Sequence, residues 1–128
     1  MTKILIVEDD IALSEIYQAR FIAENFNVSM AVDGEEALAK AVTEKPNLIV
    51  LDIMMPKISG FDILDILRET PETKNTKVVI LSALSQSSDI ERGKKLGADA
   101  YLIKSQTTLT DIVEKAKELL AREKTETT

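Results

Sequence analysis

Four stretches of the 128-residue chain carry side chains whose chemistry is not spent on packing. Glu8-Asp9-Asp10 follows the apolar run Ile4-Leu5-Ile6-Val7, and Asp52 ends another, Leu48-Ile49-Val50-Leu51, just ahead of Met54, Met55 and Pro56. Ser82 ends the run Val78 to Leu81, and Lys104 follows Ala100 to Ile103. If these runs are neighbouring parallel strands, acids, a hydroxyl and an amine gather on one rim, where ligands of open α/β sheets bind. Carboxylates about 4 Å apart repel by roughly 4 kcal/mol at an effective dielectric near 20, so three together either protonate or hold a cation. The candidate ligands are all oxygen donors and too few for a cage. That fits Mg²⁺, which keeps several waters and accepts one or two carboxylates with a phosphate.

Each piece also has a plainer reading. Acids at positions 8–10 suit the positive end of a helix. Asp52 could cap a turn leading to Pro56 and Gly60, and a lone Ser82 or Lys104 is usually a turn hydroxyl or a surface amine. The coincidence of all four at the same edge of four strands is what favours a site.

Two absences remove other chemistries. The chain has no Cys and no His, which excludes thiol nucleophiles, thiolate metal sites, disulfides, a His general base and a phosphohistidine carried on this chain. A net charge of −6 and a pI near 4.7 argue against direct nucleic-acid binding, which draws its affinity from Lys and Arg. The densest basic group, Arg92, Lys94 and Lys95, reads as a solvated helix face. No apolar run approaches the roughly 20 residues of a membrane span, and the run after Met1-Thr2-Lys3 is too short for a signal peptide. The expectation is a cytoplasmic protein without membrane contact.

The elements that must position these groups are legible as alternating patterns. Branched apolar runs at Ile4–Val7, Val28–Val32, Leu48–Leu51, Val78–Leu81 and Ala100–Ile103 suit strands buried on both faces. Between them, apolar residues recur at spacings of three and four. Ala12, Ile16, Ala19 and Ala23 form the first set; Ala37, Leu38, Ala41 and Val42 the second; Phe61, Leu64 and Leu67 the third. Ser88 to Leu96 is the weakest helix, with Ile90 and Leu96 around Gly93. Leu109, Ile112, Val113, Ala116, Leu119 and Leu120 make the clearest stripe. Caps agree: Asp33-Gly34 before Glu35-Glu36, Ser59 with Asp62 and Thr108 with Asp111 as capping boxes, and Gly97 as a left-handed terminator. Such alternation predicts a doubly wound (βα)5 domain with a parallel sheet. The polar stretch from Arg122 to Thr128 reads as a frayed end.

At this point the chain resembles a known family, the receiver domains of bacterial two-component response regulators, over Thr2 to about Glu123. The matching signatures are Val7-Glu8-Asp9-Asp10, Leu51-Asp52-Ile53-Met54-Met55-Pro56 with Gly60, Val79-Ile80-Leu81-Ser82-Ala83, and Gly97 through Lys104. The resemblance implies a flavodoxin-like α/β fold with strand order 2-1-3-4-5 over residues 1–123 and a polar tail at 124–128. It makes Asp52 the phosphoacceptor and nucleophile. Mg²⁺ would be held by Asp9, Asp52 and the Met54 backbone carbonyl, with Glu8 acting through water. Lys104 would pair with the acceptor and then with phosphoryl oxygens, and Ser82 would hydrogen-bond the phosphoryl group. Tyr101 would be the aromatic whose burial changes with state, remodelling the face of the fourth helix, fifth strand and fifth helix for a downstream protein or for dimerisation. The implied donor is a histidine kinase or phosphotransfer protein, with small phosphodonors as substitutes. The domain would modify itself rather than turn over a substrate.

Two departures from the family pattern bear on this. Ser105 stands after Lys104 where the family usually has Pro, which puts the loop geometry and the reach of Lys104 in question. Met54 and Leu84 flank the phosphoryl position, and two bulky apolar residues predict slow hydrolysis. Three rivals compete. A haloacid-dehalogenase-type phosphatase would need an acid two residues after its nucleophile, where Met54 stands. A flavodoxin-like cofactor binder would need a phosphate loop where Glu8-Asp9-Asp10 would repel one. A receiver fold used only for binding would not need the full set of Glu8, Asp9, Asp52, Ser82 and Lys104.

Overall fold

The computed structural model describes residues 2–126, with side chains described to Arg122. Five strands alternate with five α-helices: β1 (Lys3–Val7), α1 (Ile11–Ala23), β2 (Asn27–Ala31), α2 (Gly34–Glu44), β3 (Leu48–Leu51), α3 (Gly60–Glu69), β4 (Lys77–Ser82), α4 (Ser87–Lys95), β5 (Ala100–Ile103) and α5 (Leu109–Glu126). A short 3-10 turn at Lys104–Gln106 joins β5 to α5. The strands pair in parallel in the order β2-β1-β3-β4-β5. The doubly wound fold and the strand order are as expected.

The period-2 geometry of a strand explains why both faces are covered. Leu5, Val7, Ile49, Leu51, Val78 and Ile80 point to one face and pack with Ala37, Ala41, Phe61, Ile63, Leu64 and Leu67 of α2 and α3. Their neighbours Ile4, Ile6, Leu48, Val50, Val79 and Leu81 point to the other, against Tyr17 and Phe21 of α1 and Ile112, Val113, Ala116 and Leu119 of α5. The three inner strands are buried except for the half-buried lysines that open β1 and β4, Lys3 and Lys77. The edge strands β2 and β5 are half-buried, so the expectation of strands buried on both faces holds for the centre of the sheet. Val32, read as the end of the second strand, lies beyond β2 and is exposed.

The first helix corrects the sequence reading. Ala12, Ile16, Ala19 and Ala23 are all exposed, and the residues that α1 buries are Ser14, Tyr17 and Phe21. Two faces of this helix have the right spacing, and the face bearing two large aromatics removes far more apolar area from water than one of three alanines and an isoleucine.

The predicted caps form. Asp33 accepts from Glu36 N–H at 2.9 Å, Ser59 from Asp62 N–H at 3.4 Å, and Thr108 and Asp111 cap each other reciprocally at 3.1 and 2.9 Å. Gly97 takes a left-handed φ of 106° after α4. α5 continues through Glu126, past the point where the apolar stripe ends. The last two residues of the expected tail, 127–128, lie outside the described residues.

Candidate acidic metal and phosphoryl site

The carboxyl ends of β1, β3, β4 and β5 deliver the predicted groups to one rim. Backbone bonding sets the depth of the acids: Glu8 N–H donates to Ala31 O at 3.1 Å, and Asp52 N–H donates to Val7 O at 3.1 Å. The acidic triplet then divides by role. Asp10 caps α1, accepting from Leu13 N–H at 3.1 Å. Glu8, 3 % exposed, turns inward, and Asp9 stays exposed at the mouth. Carboxylate oxygens of Glu8, Asp9 and Asp52 lie within 4.8 Å of one another. The helix-start reading holds for Asp10, while Glu8 and Asp9 are the acids of the tripeptide that stand close enough to Asp52 to share a cation.

Lys104 answers the charge. Its Nζ lies 2.7 Å from Glu8 Oε1 and 3.1 Å from Asp52 Oδ2. The other Asp52 oxygen accepts from Met54 N–H at 3.1 Å, and the second Glu8 oxygen from Asp10 N–H at 3.2 Å. Burial pushes the Glu8 carboxyl above its ordinary value and the nearby Asp52 charge adds to this, outweighing the Lys104 and Asp10 hydrogen bonds. Burial works against a charged Lys104, yet its bond to Glu8 and the Asp52 carboxylate overcome this and raise its pKa. Ser105 in place of Pro does not cost Lys104 its reach: the described peptide bonds are all trans, and the 3-10 turn begins at Lys104 itself.

Gly60 sets the floor of the site. A Cβ there would stand 2.4 Å from Asp52 O and 2.5 Å from Ile53 Cα, so only glycine lets the loop after β3 close this tightly on the end of that strand. The same loop leaves Met54 56 % exposed at the mouth.

Ser82 is fully buried at the end of β4, and its Oγ accepts from Leu84 N–H at 3.2 Å. Leu84 O in turn accepts from the Tyr101 hydroxyl at 2.8 Å. The Tyr101 phenol is therefore hydrogen-bonded within the protein rather than only wet, and the ring packs against the α2–α3 core. The sequence reading missed the part played by the Leu84 main chain, since every residue type offers the same carbonyl. It also missed Arg68, whose guanidinium donates to Gly97 O at 2.9 and 3.0 Å, to Thr76 O at 2.7 Å and to Asp99 at 3.2 Å. Nothing in a sequence marks one helical arginine as a tie between loops. All three basic residues on α4, Arg92, Lys94 and Lys95, are exposed as expected, and Arg92 also lies over the Phe61 ring at 4.3 Å.

The family model of the response regulator receiver domain matches residues 4–117. The chain belongs to this family, the receiver domains of two-component signal transduction. It is 35% identical over 126 residues to the phosphate regulon transcriptional regulatory protein PhoB of Rhizobium meliloti (strain 1021), covering 98% of this chain and 55% of that one. It is 40% identical over 104 residues to the DNA-binding dual master transcriptional regulator RpaA of Synechocystis, covering 81% of this chain and 43% of that protein. The chain thus spans about half the length of these curated relatives. Among solved structures, the CheY-like response regulator receiver domain protein from Methanospirillum hungatei JF-1 superposes with a TM-score of 0.92 at 28% identity, covering 98% of both chains. No helix among the described residues is long and apolar enough to cross a membrane.

Proposed function

We propose that Asp52 accepts a phosphoryl group from a partner's phosphohistidine in a Mg²⁺-dependent reaction, and that the domain passes the signal on by changing conformation. The observation that carries this reading is the Lys104 ammonium held between two strand-end carboxylates, with a third within reach. Asp9, Asp52 and the Met54 carbonyl would hold the ion directly, with Glu8 acting through water. When bound, Mg²⁺ supplies charge neutralisation for the incoming phosphoryl oxygens.

An Asp52 carboxylate oxygen attacks phosphorus, the donor's P–N bond breaks, and its electron pair returns to the imidazole nitrogen. A carboxylate is a weak nucleophile, so positioning and charge do most of this work. Met54 N–H and Lys104 hold the Asp52 carboxylate in one orientation before reaction. Afterwards Lys104 meets the added roughly 1.5 to 2 negative charges, and Ser82 turns its hydroxyl to them.

The output surface is the face of α4, β5 and α5, reached through Tyr101 and taken by a downstream protein, an effector domain or a second copy. The working unit is residues 1–123 with a polar tail at 124–128. It acts in the cytoplasm, without direct nucleic-acid or membrane binding, and modifies itself rather than turning over a substrate. The test is exposure to Mg²⁺ with acetyl phosphate or beryllofluoride, beside Asp52→Asn. The wild type should be modified in a Mg²⁺-dependent way; modification that persists in Asp52→Asn would sink the assignment.

A further inference from the structure

Among the described residues, three other than glycine take a positive φ: Asn25, Lys45 and Lys57. Two of them have local reasons. Asparagine tolerates the left-handed region well, and Lys45 caps the C-terminal end of α2, where the helix dipole favours a cation. Lys57, at φ 70°, has neither. It stands three residues ahead of α3, toward the positive end of that helix, where a cation is disfavoured. The loop around it is clamped. Ile58 N–H donates to Pro56 O at 2.8 Å across Lys57, closing a rare three-residue turn that strains any L-residue at its centre. Met55 N–H and Gly60 N–H both donate to Ile53 O, at 3.0 and 2.9 Å, and Ile58 packs on the α2–α3 core. Lys57 itself is exposed, and no acid among the described residues pairs with it. Strained backbone gathers at functional sites, and this loop is the one that leads away from Asp52.

We propose that Lys57 is the steering cation of the site: its ammonium draws the anionic phosphodonor toward Asp52. This rests on the phosphoacceptor reading, because a donor needs guidance only if Asp52 is its destination. The charge around the site sets the need. Glu8, Asp9 and Asp52 stand together, in a chain of net charge −6, and repel a phosphate that approaches. Lys104 is already shared between Glu8 and Asp52. Lys57 is uncommitted, five residues past Asp52, in a loop whose ends meet. An ammonium about 10 Å from a dianion in water raises its local concentration roughly twofold at an ionic strength of about 30 mM. Salt well above that level screens the effect away. Lys57 takes no part in the bond-making step; it acts on the encounter that precedes it.

The experiment measures the rate of Asp52 phosphorylation by subsaturating acetyl phosphate, a dianion at neutral pH, with Mg²⁺ held at one saturating level. Wild type, Lys57→Gly, Lys57→Glu and Lys57→Arg are compared at ionic strengths of about 30 mM and about 500 mM. At low salt Lys57→Gly should react roughly twofold more slowly than wild type. Lys57→Glu, which moves the charge by two units, should be roughly fourfold slower. Lys57→Arg should keep the wild-type rate, and at high salt all four rates should converge. The urea midpoint of Lys57→Gly should be no lower than that of wild type, since glycine takes a left-handed φ freely. Equal rates at low salt overturn the proposal, as does a slowing that salt leaves unchanged, the mark of an altered loop. A lower midpoint in Lys57→Gly also overturns it, by giving the lysine a structural task. A wild type that takes no phosphoryl group overturns the phosphoacceptor reading and the steering with it. A labelled wild type with indifferent variants removes the steering alone.

Discussion

The ammonium of Lys104 stands 2.7 Å from Glu8 Oε1, nearer than the 3.1 Å that separates it from the carboxylate of Asp52. Lysine and glutamate come from opposite ends of the chain, and their pairing makes Lys104 a shared counter-ion. Removing one partner of a buried pair leaves the other charge unpaired. Lys104→Met should therefore lower metal-free stability by about 3 kcal/mol, read by urea unfolding. Added Mg²⁺ should restore part of the loss, because an ion that binds only the folded state stabilises it. An unchanged urea midpoint would show that Glu8 and Asp52 do not depend on this amine.

Asp52→Asn should move stability the other way. It keeps an oxygen for Met54 N–H and leaves Lys104 to Glu8, while removing one of three mutually repelling carboxylates. A gain of about 1–2 kcal/mol is expected without Mg²⁺, a fraction of the close-range repulsion. The same variant should respond less to Mg²⁺ than wild type does. A loss of stability in Asp52→Asn would mean that the Lys104–Asp52 attraction outweighs the repulsion.

Glu8 supplies the pH dependence. Its folded-state pKa is raised above the ordinary 4.5, chiefly by burial, so the folded protein holds this proton more tightly than the unfolded chain. The resulting stability is fully present below 4.5 and is lost as pH rises through the raised folded value. Glu8→Gln, compared with wild type in metal-free buffer, should gain relative stability as pH rises from 4.5 toward neutral. A relative loss over that range would contradict the shift.

The family resemblance puts Met54 and Leu84 beside the phosphoryl position, and Met54, whose N–H bonds Asp52, is 56 % exposed. The aspartyl phosphate should be long-lived without a phosphatase, and Met54→Asn, which can orient a water, should shorten its life several-fold. Radiolabel decay after removal of the donor measures both. A wild-type half-life of only seconds would contradict the account.

How much was legible beforehand depended on whether one residue type sufficed. Asp52, Lys104 and Ser82 announced themselves because polar groups directly follow apolar runs, and parallel strands bring such ends to one edge. Tyr17 and Phe21 did not, because α1 offers two faces of helical spacing and only the packed sheet decides between them. The division of labour within Glu8-Asp9-Asp10 needed the first residue of α1 to be known. The Leu84 carbonyl and the Arg68 tie stayed hidden for a related reason: their partners are backbone groups, which every residue shares. Gly93 weakened the helical pattern of α4, and that weakness was itself the trace of a close contact: a Cβ there would lie 2.8 Å from Ile80 Cδ1 and 3.0 Å from Tyr101 Cδ2.

The central claim is that Asp52 is a Mg²⁺-dependent phosphoacceptor. Intact mass after incubation with acetyl phosphate tests it most directly, with wild type and Asp52→Asn measured side by side, each with Mg²⁺ and with a chelator. The account predicts one added phosphoryl group on wild type with Mg²⁺ and none in the other three samples. Equal labelling of Asp52→Asn, or labelling indifferent to Mg²⁺, would contradict it.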